Sequence, residues 1–460
     1  MKKIIVFILV LFITSNVSFA QELRRRPNLG VSLKPLTPEL IKQFNYTGNV
    51  KMYVKKVIPN TTGSSLKIMD NDIIIDYAGV EIGPGFYETI KTNFREGDNI
   101  TATVFRNGKI KKLKGKVVGT VKETSNVADI TYDYVDYNGG KLRSIIWKPK
   151  NTSKTKLPAI YYVQGFSCAS VEQIFNNSNS SIKQLLEGFV KKGYIVYRVE
   201  KIGMGDSMNN QHCVEVDVQT EIKGFKEGLK RLKKYDFVDA DNVFIWGHSL
   251  GGQEAPFIAE GIGVKGIIGY GYVAKSWHDY IMDLITVQLP MIKNLSYGAM
   301  QDRLNDFRMP LYDFFYKKES LEKIVAKYPK KDLQFLSEVL QYNGKTLLGR
   351  TPKFLQSLNS LNVLQKHQEI KIPTLALYGS SDLAAIDGDK GVQLIAAAIN
   401  QVSPGNGYYQ IIPDTNHHLS KVGTMDDSIE VLKSKQTWQN AQVNFNMEIV
   451  EITHNWIKNL

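Results

Sequence analysis

The sequence contains little cysteine and lacks the short motifs that mark metal or nucleotide sites. Only two of its 460 residues are cysteine, and neither a His-Glu-x-x-His string nor a Gly-x-x-x-x-Gly-Lys-Ser/Thr phosphate loop occurs. We therefore expect no metal and no cofactor. After residue 20, no apolar run reaches the roughly 18 residues that a membrane-spanning helix requires. A chain of this length is too long for one ordinary core, so about two domains are expected.

The first twenty residues have the layout of a bacterial secretory signal peptide. Lys2 and Lys3 precede an apolar run over 4–13, and a polar stretch then ends in the small-residue cleavage site Ser-Phe-Ala at 18–20. We expect the mature chain to begin near Gln21 and to be periplasmic or secreted, with no stable membrane span. A retained membrane anchor is the alternative.

Acidic residues are scarce at the start of the mature chain. Residues 21–120 hold 17 Lys and Arg against 9 Asp and Glu, within a formal net charge of +13 for the whole chain. A basic surface can attract nucleic acid, anionic envelope polymers or acidic peptides, although a solvated basic face is the simpler interpretation. No zinc-finger, arginine-repeat or aromatic RNA-binding pattern accompanies the charge, so we expect no nucleic-acid partner.

Residues 27–120 show short β-like runs separated by turn-forming residues. One helical stretch, at 87–94, interrupts them. The runs lie at 29–33, 51–58, 72–77 and 99–106. This pattern predicts a small, mostly-β domain over residues 21–125.

The same region resembles the PDZ domains of bacterial envelope proteases. The matching segments are 29–40 (Leu-Gly-Val-Ser-Leu-Lys-Pro-Leu-Thr-Pro-Glu-Leu), 54–59, 63–67, 72–74 and Gly79. Asn71 stands where the family usually has glycine, and asparagine tolerates the positive φ of such a turn. The resemblance implies that Leu29, Gly30 and Val31 bind the carboxyl-terminal peptide of a partner protein, with backbone N–H groups holding its carboxylate. A purely structural or autoinhibitory PDZ fold is the alternative.

Beyond a polar joint near 122–126, strand-like runs alternate with helix-length segments. A hairpin at 129–147 comes first, followed by buried strands at 158–163, 194–199, 243–246, 264–269, 374–378 and 408–412. Helices fit at 182–192, 216–234, 252–261, 388–399 and 445–458. Residues 126–460 are therefore predicted to form an α/β domain. Between 275 and 368 the alternation stops, and apolar residues at helical spacing, with breaks at Pro290 and Pro310, predict a helical cap inserted over the sheet.

The strongest local signal is Gly247-His248-Ser249-Leu250-Gly251, between a predicted strand and a predicted helix. Such a turn strains the serine backbone and needs small neighbours, and it places Oγ at the carboxyl end of the sheet. The segment resembles the nucleophile elbow of α/β-hydrolases, and this resemblance covers roughly residues 129–460. It implies an α/β-hydrolase sheet with Ser249 as nucleophile.

A serine nucleophile needs a base and a group that orients the base. Only His417 and His418 follow a late predicted strand, and similarity to α/β-hydrolases favours His417. Asp382 follows a strand end with Gly-x-x-Asp spacing and is preferred over Asp387 and Asp389. The chain order of serine, aspartate and histidine is then that of α/β-hydrolases.

Two N–H donors are required for the oxyanion that acyl transfer generates. One is expected from Leu250, directly after the nucleophile. The other is assigned to Phe166 by similarity to families with His-Gly in place of Gln164-Gly165. Cys168 lies beyond this loop, and Cys213 lies beyond the loop of the neighbouring strand, so a disulfide that braces the oxyanion wall is expected. Two unlinked thiols are the alternative.

The resemblance implies an exported serine hydrolase that cleaves a carboxylic ester through an acyl-enzyme. Ester or peptide substrates are both compatible with it, because this fold carries many activities. A serine peptidase of the prolyl-oligopeptidase or aminopeptidase kind is the second hypothesis. The third is a PDZ binding protein with an inactive hydrolase domain, against which the intact order of the three residues argues.

Overall fold

The computed structural model describes residues 23–50, 52–83, 85–172, 180–385, 388–434 and 444–460. The predicted signal peptide and the candidate Asp387 lie outside these residues. The strands form two separate sheets, one from each part of the chain. Their bounds are β1 Val31–Pro35, β2 Met52–Val57, β3 Ile73–Tyr77, β4 Val80–Glu81, β5 Asn99–Arg106, β6 Lys109–Lys116, β7 Ala128–Tyr137, β8 Gly140–Pro149, β9 Leu157–Val163, β10 Ile195–Val199, β11 Val238–His248, β12 Gly266–Tyr270, β13 Thr374–Gly379 and β14 Gly407–Ile412.

The larger sheet has eight strands in the order β14-β13-β12-β11-β9-β10-β8-β7. β7 and β8 form an antiparallel hairpin, and their two-residue turn has positive φ at both Asn138 (52°) and Gly139 (70°), as a type I′ turn requires. From β10 through β14 every neighbouring pair is parallel. The sheet is therefore mixed but largely parallel, and the carboxyl ends of its parallel strands meet at one edge.

Helices cover both faces of this sheet and also form the cap. The helices are α1 Pro38–Phe44, α2 Thr62–Ser65, α3 Phe86–Asn93, α4 Ser181–Lys191, α5 Val218–Leu232, α6 Leu250–Ala259, α7 Trp277–Asp283, α8 Leu289–Lys293, α9 Tyr297–Phe315, α10 Leu321–Lys327, α11 Gln334–Glu338, α12 Pro352–Leu358, α13 Val363–Ile370, α14 Gly388–Val402, α15 Met425–Lys433 and α16 Glu448–Lys458. Apolar side chains of α5 and α6 pack on one face of the sheet, and those of α4 and α16 pack on the other. None of the helices in the described ranges combines the length and hydropathy needed to cross a bilayer.

The predicted cap consists of helices α7 to α13, and its prolines behave differently from the prediction. Pro310 lies inside the 19-residue helix α9 and does not break it. The missing N–H normally destabilises a helix, but here the buried Phe307, Leu311 and Phe314 of the same helix pack into the core. Pro290 is the second residue of α8 and directly follows a π-helical turn, Leu284–Gln288, so the chain remains helical there instead of breaking.

The smaller, N-terminal sheet is antiparallel, with the order β1-β2-β3-β5-β6, and forms a mostly-β domain with its own core. β6 was not predicted, because five of its eight residues are lysine, which is uncommon in strands. Pairing with β5 along its whole length supplies the backbone bonds that override this preference.

Arg25 links the segment before the first strand to the connections of the larger sheet. Arg25, only 4% exposed, forms ion pairs with Asp206 and with Glu172 (2.5 Å), and both acids belong to the larger sheet's connections. Its guanidinium also donates to the carbonyl oxygens of Thr120 (3.0 Å) and Val121 (2.8 Å). The segment that precedes the first strand is thereby anchored between the two sheets.

Candidate active site

Ser249 occupies a strained turn between β11 and α6. Its φ of 56° and ψ of −123° fall where few non-glycine residues are found. A Cβ at Gly247 would lie 2.4 Å from the carbonyl oxygen of Gly251, and one at Gly251 would lie 2.3 Å from that of Val163. Only glycine fits at these two positions, so the spacing of the sequence motif follows from the tightness of the turn.

Asp382 and His417 come from the ends of the next strands and contact each other. Asp382 follows β13 and is completely buried, while His417 lies in the loop after β14. The His417 Nδ1 is 2.8 Å from Asp382 Oδ2, and Asp382 Oδ1 accepts from the N–H groups of Ala384 and Ala385, each at 2.9 Å. The carboxylate is therefore fixed on one side by the backbone and on the other by the imidazole.

The serine turn lies against the same group of side chains. The N–H of Ser249 donates to the Tyr270 carbonyl oxygen at 2.8 Å, and the His248 ring lies 2.8 Å from the carbonyl oxygen of His417. Gly271, the residue after Tyr270, has room only for hydrogen, because a Cβ there would lie 2.7 Å from Asp382 Oδ2 and 3.0 Å from His417 Nδ1. The structure thus brings the three sequence-predicted residues to one edge of the sheet.

The three neighbouring histidines, His248, His417 and His418, differ in pKa. Burial lowers the pKa of His417, but the charge and hydrogen bond of Asp382 outweigh it and the net pKa is raised above the ordinary value. For His418, burial and the charges of His417 and His248 lower the pKa to about 3. For His248, burial and His417 lower the pKa to about 4. Of these three histidines, His417 is the one whose pKa is raised, and Asp382 is the cause.

The two residues predicted to supply oxyanion donors, Leu250 and Phe166, line the same cavity as Ser249. Within the described ranges, neither Leu250 nor Phe166 donates its N–H to another group of the protein. A Cβ at Gly165, the residue before Phe166, would lie 3.5 Å from Ser249 Oγ, so this loop passes directly over the serine. Unpaired donors beside a nucleophile are the arrangement that stabilises a developing oxyanion.

A cavity of about 480 Å³ opens beside Ser249 and is walled by the cap. Among the described residues that line the cavity, one is charged. It is Glu338, which forms an ion pair with Arg303 at 3.1 Å. Gln253 fixes one wall by accepting from Trp277 Nε1 at 3.1 Å. The apolar walls include Trp277, Leu284, Leu289, Val339, Leu348 and Leu383. Such a cavity accommodates an uncharged apolar group.

The remaining predicted residues are placed as follows. Cys168 and Cys213 form a disulfide, as expected from their loops on neighbouring strands. Asp389 lies in the first turn of α14, away from the bond that Asp382 makes. Gly30 has a φ of +63°, between the buried Leu29 and Val31.

Sequence reasoning missed a buried cluster of charges next to the loop of Gly165 and Phe166. It contains Lys201, Glu221, Glu254 and the cap residue Arg350, each at most 3% exposed. No local motif links residues so far apart in the chain. The available signal was Glu200-Lys201, two charges directly after the buried strand β10.

Comparisons with known proteins found a curated relative and similar solved structures. No family model matches the chain. The chain is similar to the esterase EstD of Thermotoga maritima, with 24% identity over 306 residues that cover 63% of this chain and 65% of EstD. The chain therefore spans less than two thirds of this curated relative.

Two solved structures are also similar. The α/β hydrolase GrgF from Penicillium sp. sh18 is 14% identical and aligns over 68% of this chain and 98% of GrgF, with a TM-score of 0.40. The acylaminoacyl peptidase of Pyrococcus horikoshii is 14% identical and aligns over 77% of this chain and 49% of the peptidase, with a TM-score of 0.39.

Proposed function

We propose that this chain is an exported serine hydrolase that cleaves carboxylic esters through an acyl-enzyme. The observation that carries the proposal is the 2.8 Å contact between His417 Nδ1 and Asp382 Oδ2, beside a strained Ser249 that opens onto a cavity. Similarity to an esterase supports the choice of ester. The Cys168–Cys213 disulfide is compatible with an oxidising compartment outside the cytoplasm.

In the proposed acylation step, Ser249 Oγ attacks the ester carbonyl carbon while His417 Nε2 takes the hydroxyl proton. Asp382 keeps the other proton of the imidazole on Nδ1 and stabilises the imidazolium that forms. The carbonyl oxygen becomes an oxyanion and accepts from the N–H groups of Leu250 and Phe166. The tetrahedral intermediate then collapses, and His417 gives its proton to the departing alkoxide oxygen.

Deacylation repeats these steps with water. His417 deprotonates a water molecule, which attacks the acyl carbon, and Ser249 leaves with the proton that His417 returns to it. The product is a carboxylic acid, and the serine hydroxyl is regenerated. No step in this scheme requires a cofactor.

The apolar cavity predicts a preference for uncharged esters over peptides. Esters of p-nitrophenol with short acyl groups are expected to be turned over, whereas aminoacyl p-nitroanilides, which carry an ammonium group, are not, because the cavity acid Glu338 already binds Arg303. A profile of kcat/KM across both substrate series tests this. Faster turnover of the anilides would instead support the serine peptidase hypothesis.

We further propose that the N-terminal domain, residues 21–125, is PDZ-like and binds the carboxyl terminus of a peptide. The supporting observation concerns β1, an edge strand of its sheet. Among the described residues, Leu29 and Gly30 just before this strand donate their N–H groups to no other part of the protein. Free N–H groups at the end of an edge strand suit a terminal carboxylate, and the strand itself suits an extended peptide.

Peptide binding is testable on the full-length chain carrying Ser249→Ala, so that a bound peptide is not cleaved. Fluorescent peptides from a carboxyl-terminal library are expected to bind. Amidation of their carboxyl terminus is expected to lower the affinity at least tenfold, because the N–H groups then have no carboxylate to bind. Fluorescence anisotropy measures both. Equal binding of free and amidated peptides, or no binding by any library member, would contradict the proposal.

A further inference from the structure

A buried lysine lies directly behind the proposed oxyanion loop. Lys201 follows strand β10 and is 2% exposed. Its Nζ donates to the carbonyl oxygen of Gly165 at 2.6 Å and forms an ion pair with Glu221 at 2.7 Å. Burying an ammonium group is costly unless it is paired, so a lysine placed here to hold one backbone carbonyl needs an explanation.

The partners of Lys201 are themselves held from the cap. Glu221 forms a second ion pair with Arg350 at 2.6 Å, and the Arg350 guanidinium stacks over Phe354, 3.6 Å from the ring centroid. Arg350 also donates to the Cys213 carbonyl oxygen at 2.5 Å. The disulfide, the cap and α5 therefore fix Glu221, and Glu221 fixes Lys201.

Burial acts on two groups of this cluster in opposite directions. It raises the pKa of Glu254, to which repulsion from Glu221 adds, and it lowers the pKa of Lys201, which Glu221 counteracts. The carboxylate of Glu221 is shared between Lys201 and Arg350, and Lys201 Nζ also donates to the Gly165 carbonyl oxygen.

The geometry of the peptide bond connects this carbonyl to the site. The C=O of Gly165 and the N–H of Phe166 belong to the same peptide unit, and the described chain contains no cis bonds. In a trans peptide these two groups point in opposite directions. A donor that holds the carbonyl from behind therefore aims the N–H forward, and a cationic donor polarises the unit so that the N–H becomes a stronger donor.

We propose that Lys201 is a positioning residue that orients and polarises the Gly165–Phe166 peptide so that the Phe166 N–H stabilises the oxyanion. This inference rests on the proposed serine hydrolase function. Lys201 would hold one of the two oxyanion donors in a fixed orientation, which the side chains of Ser249, Asp382 and His417 do not do. Because the contact acts on the transition state, it affects kcat rather than the binding of substrate.

The test is Lys201→Met, which keeps the length and apolar stem of the side chain and leaves Glu221 paired with Arg350. Loss of a whole oxyanion donor typically costs 100- to 1,000-fold in kcat, so loss of its support is expected to cost about 10- to 100-fold, with KM changed less than about threefold. Rates are divided by the concentration of active sites, measured as the amount of protein that a fluorophosphonate probe labels at Ser249. Unfolded protein therefore does not affect the measured kcat. Lys201→Gln, a milder change that keeps a polar group, is expected to lower kcat in the same direction.

The chain offers a matched control in Lys233, which also donates to a glycine carbonyl, that of Gly263 at 2.9 Å, but on the protein surface. Lys233→Met is expected to leave kcat and KM unchanged. A kcat within about twofold of wild type in both Lys201 variants would overturn the inference, as would a loss confined to KM. If the wild-type chain neither labels with the probe nor hydrolyses esters, the proposed function fails first and the inference falls with it.

Discussion

Replacing Ser249 with alanine is expected to lower kcat for ester hydrolysis by about four to six powers of ten, because the atom that attacks the carbonyl is removed. The oxyanion donors and the cavity remain, so a small residual rate above that in water is expected. The same change abolishes covalent labelling by a fluorophosphonate. Labelling followed by mass spectrometry, together with initial rates, measures both effects.

The two adjacent histidines provide the matched control for this experiment. His417→Ala is expected to be nearly as damaging as the serine change, since the serine then has no base. His418→Ala is expected to keep kcat within about tenfold of wild type, because burial and the charges of His417 and His248 lower the pKa of His418 to about 3, too low for an efficient base near neutral pH. The reverse result would assign the base to His418. Full activity of Ser249→Ala would rule out the serine mechanism.

Replacing Asp382 with asparagine is expected to lower kcat by about 10⁴-fold through the wrong tautomer of His417. The N–H groups of Ala384 and Ala385 hold an acceptor oxygen at one side of residue 382, so the amide NH₂ of the new side chain must face His417 Nδ1. An imidazole that accepts at Nδ1 carries its proton on Nε2. It can then no longer take a proton from Ser249.

The pH profile gives this variant a second readout. His417 must be neutral to act as a base, so activity falls as the pH drops through its pKa, which Asp382 raises. Without the carboxylate, burial alone remains and lowers that pKa, so the acidic limb of kcat/KM is expected to shift to lower pH. Asp389→Asn serves as the control, with no shift and no loss. An unchanged acidic limb in Asp382→Asn would show that another group titrates.

Most of the strands around the site could be predicted because each carries an unbroken buried run. β9, β10, β12 and β13 lie wholly or almost wholly inside the protein, and their sequences are correspondingly apolar. The residues that follow such strands share one edge of a parallel sheet. For this reason Ser249 and Asp382 could be proposed together from sequence. His417 follows β14, which was predicted as buried but is mostly exposed, and it could be proposed because a late strand precedes it.

Features that depend on long-range packing could not be predicted in this way. Strand β6 is stabilised by its neighbour against the preference of its lysines, and helix α9 continues through Pro310 because its flanking residues are buried. Arg350 and Lys201 are separated by about a third of the chain and meet only in the folded protein. From sequence alone, a charged residue is expected to lie on the protein surface, because the partner that would allow its burial is not known.

Arg25 sets a limit on how the polypeptide can be divided. A chain shortened to begin at residue 126 would retain Asp206 and Glu172 in the interior but would lack the cation that both of them bind. Asp206 would keep its ion pair with Arg143 (3.2 Å) and Glu172 its hydrogen bond from the Tyr132 hydroxyl (2.6 Å), but each buried carboxylate would lose a cation, which destabilises a fold. Residues 126–460 are therefore best expressed with residues 23–125 attached, or supplied with them as a separate fragment.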